Sequence, residues 1–138
     1  TKFYNIKFYE SFGDNDKRKK LIPTIINNYK KNITTRIISK ELSLNIIHTD
    51  DIINSILILI NHDIQSGSYC IKNTHNTKIS KLIDILNKYL QKKIKVRYEN
   101  KSTDLINYSG LKILPRWRPN KNIEKKIMNV FKNETAKN

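Results

Sequence analysis

LNIIHTDDIINSILILI, Leu44 to Ile60, decides how the rest of the chain is read. A β-type run, Leu44 to Ile47, meets His48-Thr49-Asp50-Asp51, and an apolar run then resumes. The spacing predicts a helix from about Asp50 to Asn61. On a helical wheel Ile52, Ile53, Ile56, Leu57, Leu59 and Ile60 form one broad stripe. Asp50, Asp51, Asn54, Ser55 and Asn61 take the other side, with Ile58 as the exception. The stripe is therefore expected to face the core. One histidine and two carboxylates are usual metal ligands and also usual proton-transfer groups. The simpler reading is a helix start: Thr49 or Asp50 caps the free amides, and the carboxylates lie at the positive end of the helix dipole. His62, His75 and Cys70 have no sequence tie to this cluster, so capping is the preferred account.

Working outward, Lys2 to Tyr9 is dense in aromatic and β-favouring residues and reads as a strand. Ser11 to Asp16 is a turn-forming cluster. Leu21, Ile22, Ile25 and Ile26 give a helical face over about Lys20 to Tyr29, with Pro23 tolerated near its start. Thr34 to Ile38 is a short β-type run, and Gly67-Ser68 turns into a strand over Tyr69 to Lys72. Thr77 opens a helix from Ile79 to Leu90 with Leu82, Ile83, Leu86 and Leu90 inward, and Lys93 to Tyr98 forms a last strand. Asn122 caps a final helix from Ile123 to about Lys132, and residues 133–138 are expected to fray. Strands alternating with helices argue for an α/β architecture in one domain.

The 138 residues suffice for a real core, and 38% hydrophobic with 28% charged residues excludes wholesale disorder. A single cysteine forbids an internal disulfide and fits a reducing, cytoplasmic compartment. The longest apolar run falls well short of the roughly 20 residues that span a bilayer, so no membrane association is expected. A net charge of +15 raises a small basic nucleic-acid-binding module as the alternative function. Against it, the chain is rich in Lys, Asn and Ile together, as an A/T-rich genome imposes. Only five residues are Arg (Arg18, Arg36, Arg97, Arg116, Arg118), and the lysines are scattered. Nucleic acid is therefore not the expected partner.

The order of signals resembles the C-terminal, substrate-binding portion of an extended short-chain dehydrogenase/reductase of the NAD-dependent sugar-nucleotide epimerase/dehydratase group. Four stretches carry the likeness. FGDNDKRKKLIP (Phe12 to Pro23) resembles the family's tyrosine-glycine-proline turn with its lysine-leucine-isoleucine-proline helix start. ELSLNIIHTDDII (Glu41 to Ile53) resembles its H-V-D-D-V segment. YCIKNTHNTKISKLIDILNKYLQKKIKV (Tyr69 to Val96) resembles its Y-N-I-G strand and following helix, and ILPRWRPNKNIEKKI (Ile113 to Ile127) its closing L-G-W-K-P. The resemblance implies an incomplete Rossmann-type fold: the last strands of the sheet plus a small lobe with short strands and about four helices.

It also implies a nucleotide sugar as substrate, with NAD or NADP serving the complete enzyme. Arg18, Lys20 and Leu21 would touch the nucleotide part at a helix N-terminus, although a solvated basic loop explains the same charges. Arg97, Lys101 and Asp104 are further candidates. Trp117 could stack on a base but more simply packs in the core. The resemblance places the family's glycine motif and its catalytic tyrosine-x-x-x-lysine pair upstream of these stretches, and Gly13, Gly67 and Gly110 stand too far apart to form such a motif. The chain alone is expected to hold no cofactor and to be non-catalytic. An N-terminal half, joined or supplied by a partner chain, is then missing, and Phe3, Ile6 and Phe8 would be exposed on the first strand. A homodimer is a further option.

Overall fold

The computed structural model describes residues 1–102, 110–119 and 121–137. Its elements run β1 (Tyr4–Lys7), β2 (Glu10–Phe12), α1 (Leu21–Lys30), β3 (Thr35–Ile37), β4 (Ser43–Leu44) and β5 (Ile46–His48). Then follow α2 (Thr49–Asn61), β6 (Gly67–Cys70), β7 (Thr77–Lys78), α3 (Ile79–Asn87), β8 (Val96–Tyr98) and α4 (Ile123–Ala136). The strands associate in four pairs. β1 with β6, β2 with β5, and β3 with β8 are parallel; β4 with β7 is antiparallel. The mixed α/β class expected from the sequence is present.

Two apolar cores meet at β5. Ile46 belongs to the larger core, with Phe12, Ile22, Ile25 and Ile26 of α1, Leu82, Ile83 and Leu86 of α3, and Ile127, Val130 and Phe131 of α4. Its neighbour Ile47 belongs to the smaller core, with Ile58, Ile64, Tyr69, Ile71, Leu114 and Trp117. Successive strand residues point to opposite faces, so one three-residue strand joins both cores. The inward faces predicted for α1 and α3 are the ones buried, and Trp117 packs in the core as expected.

Several boundaries differ from the sequence reading. Ser11 and Phe12 form β2 instead of a turn, because parallel pairing with Ile47 and His48 draws them into a ladder. Thr77 lies in β7, not at a helix start. α4 passes the expected end at Lys132 and continues to Ala136. Asn133 there donates to Asp14, and Glu134 accepts from the Asn15 amide at 2.8 Å, so the polar tail is tied down up to residue 137.

The largest difference concerns α2. The face it buries carries Asp51, Ser55 and Ile58, while Ile53, Ile56, Leu57 and Ile60 are 48–72% exposed. The polar side of the wheel faces the protein. Local bonds explain how it is held: the Trp117 indole N–H donates to the Asp51 carbonyl at 3.0 Å, and Ser55 Oγ donates to the Ile52 carbonyl at 2.6 Å. Ile52 and Leu59, at the flank of the stripe, reach the smaller core beside Tyr4 and Ile6 of β1.

Trp117→Phe keeps most of the buried ring but removes the indole N–H that reaches the Asp51 carbonyl. It should cost about 1–3 kcal/mol in urea unfolding followed by circular dichroism. An unchanged midpoint would mean that the indole does not anchor α2.

Candidate functional site

β2 and β5 are parallel, so their carboxyl ends lie side by side, and each leads into a helix. In open α/β sheets ligands settle in the crevice outside such ends. Phe12 and His48 close the two strands, with ring centroids 5.0 Å apart in an edge-to-face contact. Gly13 follows, and a Cβ there would overlap the Thr49 side chain, so only glycine lets the turn pass the start of α2. Asn15 then turns the chain with φ of 60°, a left-handed conformation that Asn tolerates.

α2 is capped by His48, not by Thr49 or Asp50. His48 Nδ1 accepts the Asp50 amide at 3.2 Å. Lys126 Nζ lies 3.0 Å from Asp50 Oδ2 and 3.4 Å from the same imidazole nitrogen. An atom accepting that amide cannot itself carry a proton, so the 3.2 Å approach of His48 to Asp50 is not an ion pair. Burial, then the Lys126 charge, hold the His48 pKa below its usual value. Asp50 is held low by its bond from Lys126, while burial pushes the Asp51 carboxyl up. No His, Cys, Asp and Glu cluster able to hold a metal occurs among the described residues. The histidine and two aspartates thus build a helix start.

The basic segment before α1 forms a second cluster beside this one. Arg18 is clamped by Asp16, with Nε to Oδ1 at 2.8 Å and Nη2 to Oδ2 at 2.5 Å, and Nη2 also donates to Ser11 Oγ at 3.0 Å. The bond from Arg18 keeps the Asp16 carboxyl below its usual range. Lys20 stands at the N-cap position of α1, 3.8 Å from Glu10, whose carboxyl burial pushes up. That helix begins with neither a side-chain cap nor an acidic residue in its first turn. Its amides without a side-chain cap and its dipole therefore favour an anion. A groove of about 510 Å3 opens here, lined by Gly13, Lys17, Arg18, Lys19, Pro23 and Lys30, among others. Asp16 and Glu134 also line it; the other surface grooves of similar size are lysine-lined too, and its place at a strand end is what distinguishes it.

The candidate residues fall into two groups. Arg18, Lys20 and Leu21 lie together at the start of α1. Arg97 and Lys101 lie on or after β8, with Arg97 opposite Arg36 and Lys101 3.0 Å from Glu99. No hydrogen bond or ion pair joins the two groups among the described residues, and Asp104 lies outside those residues. Sequence reasoning missed Lys126, which is 78 residues from His48 and reads as one of many lysines on α4. It also missed buried Asn45, which bonds the Asn73 backbone and the Asn76 side chain and fixes β5 to the segment after β6.

The neutral cap predicts a pH dependence. The folded pKa of His48 lies below its unfolded value, so protons bind the unfolded chain first, and stability falls as pH drops through about 6.5. Thermal unfolding should weaken between pH 7.5 and 5.5, whereas His48→Asn, a non-titrating cap, should lose most of that slope. Equal slopes in both proteins would remove His48 from the account.

No known protein-family model matches the chain. Over 67 residues it is 37% identical to CDP-abequose synthase of Yersinia pseudotuberculosis, a match spanning 49% of this chain and 23% of that enzyme. Its fold is similar to that of the UDP-N-acetylglucosamine 4-epimerase of Methanobrevibacter ruminantium M1, solved with UDP-N-acetylmuramic acid. There the TM-score is 0.77 at 18% identity, over 95% of this chain and 45% of that one. The Bacillus cereus UDP-glucuronic acid 4-epimerase, solved with NAD, gives a TM-score of 0.76 at 12% identity, over 96% of this chain and 43% of that one. The chain spans less than half the length of either structure. The chain is thus similar in sequence, over about half its length, to a CDP-abequose synthase, and it shares the Rossmann-type fold of these solved epimerases.

Proposed function

We propose that this chain is the substrate-gripping part of an NAD(P)-dependent enzyme that remodels nucleotide-linked sugars by epimerisation, dehydration or reduction. The observation that carries the reading is the uncapped start of α1, set in a basic groove at the carboxyl end of β2. The substrate's diphosphate seats on the first-turn amides of Leu21 and Ile22, with Lys20 as its nearest cation and Lys17 and Lys19 at the rim. Arg18 acts differently: bound to Asp16 and Ser11, it cancels a carboxylate that would repel the anion and shapes the loop. Glu10 is similarly quieted by burial and by Lys20. Arg97 and Lys101 would serve a more distant part of the substrate.

NAD or NADP would supply the hydride chemistry in a complete enzyme. The residues here do not fit that cofactor. Gly13, Gly67 and Gly110 stand too far apart to form a phosphate loop. No proton or hydride step is assigned to this chain, whose part is binding and orientation.

Calorimetric titration of the purified chain with CDP and UDP should show saturable binding with dissociation constants of roughly 0.1–1 mM. Lys20→Ala should weaken it by about threefold to tenfold. With NAD, NADP and nucleotide sugars, turnover should be absent. Tight, steeply salt-dependent binding of an oligonucleotide without any effect of nucleoside diphosphates would instead identify a nucleic-acid module.

A further inference from the structure

Glu134 of α4 lines the groove at the start of α1, although a carboxylate there repels an anion. Its charge is taken up by two donors: Oε1 accepts from the Asn15 amide and from the Lys137 ammonium, each at 2.8 Å. The bond from Lys137, then that from the amide, hold the Glu134 carboxyl below its usual range. Lys137 also donates to Asn15 Oδ1 at 2.8 Å, and Asn133 donates to Asp14 at 3.3 Å. Backbone and side chain of Asn15 are thus both held from the end of α4, across 119 and 122 positions of chain.

The loop from Asp14 to Lys20 has little else to fix it. None of its residues is apolar, and all but Asp16 are exposed, so core packing does not set its shape and polar bonds must. Its left-handed turn at Asn15 decides the direction in which the basic run leaves β2. Beyond it, Asp16 accepts the Arg18 amide at 3.1 Å as well as the guanidinium. Arg18 then returns to the Ser11 carbonyl at 3.2 Å and the Ser11 hydroxyl at 3.0 Å. A continuous series of bonds therefore runs from Lys137 and Glu134 through Asn15, Asp16 and Arg18 back to β2. Asp16, Arg18 and Glu134 of that series all line the groove.

We propose that the end of α4 is a clamp on the anion-binding loop, with Glu134 as its positioning residue, so that nucleoside diphosphate binding at the start of α1 and order at residues 133–137 are coupled. The proposal rests on the diphosphate reading above and deepens it. Coupling is reciprocal: the clamp raises affinity, and bound ligand steadies the residues that form the clamp. A clamp and a mere lining charge differ in sign. Removing a carboxylate from an anion groove strengthens binding on Coulomb grounds alone, whereas removing the clamp weakens it.

Calorimetric titration with CDP and amide hydrogen exchange followed by NMR test it on the full chain. Glu134→Ala should weaken CDP binding about fivefold and speed exchange of the Asn15 amide by at least about tenfold. Glu134→Gln, whose side-chain carbonyl still accepts that amide, should recover most of both losses although it too lacks the charge. The melting temperature of either variant should move by less than about 2 °C. Saturating CDP should slow exchange at residues 133–137 by at least about threefold in the unsubstituted chain and have no such effect in Glu134→Ala. Unchanged or tighter CDP binding by Glu134→Ala would overturn the clamp, as would exchange at residues 133–137 indifferent to CDP. So would a larger fall in melting temperature, which would make the contact a general support of the fold. A chain that binds CDP without these differences loses only the clamp; a chain that binds no CDP loses the diphosphate reading and the coupling with it.

Discussion

Everything in this molecule hangs on the alternation of β5. Ile46 points into the larger core and Ile47 into the smaller, and both are fully buried, so three residues lock two groups of helices in register. His48, next in line, returns to the Phe12 side and caps α2. A slip of one residue would exchange the two isoleucines and turn the imidazole away from the helix it starts. The Asn45 network holds the strand against that slip, by bonding to Asn73 and Asn76 across 28 and 31 residues of chain.

From that constraint the site follows. Because β5 is parallel to β2, two helix N-termini open at one end of the pair, and the chain treats them in opposite ways. α2 is saturated: His48 caps it, Asp50 and Asp51 sit in its first turn, and Lys126 bonds Asp50. α1 is left without a side-chain cap or a first-turn acid and is surrounded by lysines. One end is finished as structure while the other has no side-chain cap.

Much of this was legible in the sequence. The inward faces of α1 and α3 followed from periodicity, because a single core covers each. The family likeness rested on the order of Phe12–Pro23, Glu41–Ile53, Tyr69–Val96 and Ile113–Ile127. The orientation of α2 was not legible, since amphipathicity says which side is apolar but not which neighbour covers it. His48 as a cap was hidden because an imidazole accepts an amide only when neutral and correctly turned. β2, β4 and β7 have two or three residues each, too few for a pattern, and exist through their partners. Grouping Arg18 with Lys20 needed only adjacency, whereas the relation of Arg97 and Lys101 to them depends on tertiary placement.

A helix with its polar side inward is the point on which the account stands, because it leaves four large aliphatic side chains uncovered among the described residues. Thiol labelling measures it directly: Ile56→Cys and Ser55→Cys, neighbours on α2, are each treated with a maleimide under native conditions. Native Cys70 is fully buried and serves as the internal reference. The account predicts that the thiol at position 56 reacts at least about a hundredfold faster than the one at position 55, which opens only with the fold. Faster labelling at position 55, or equal rates at both, would contradict it.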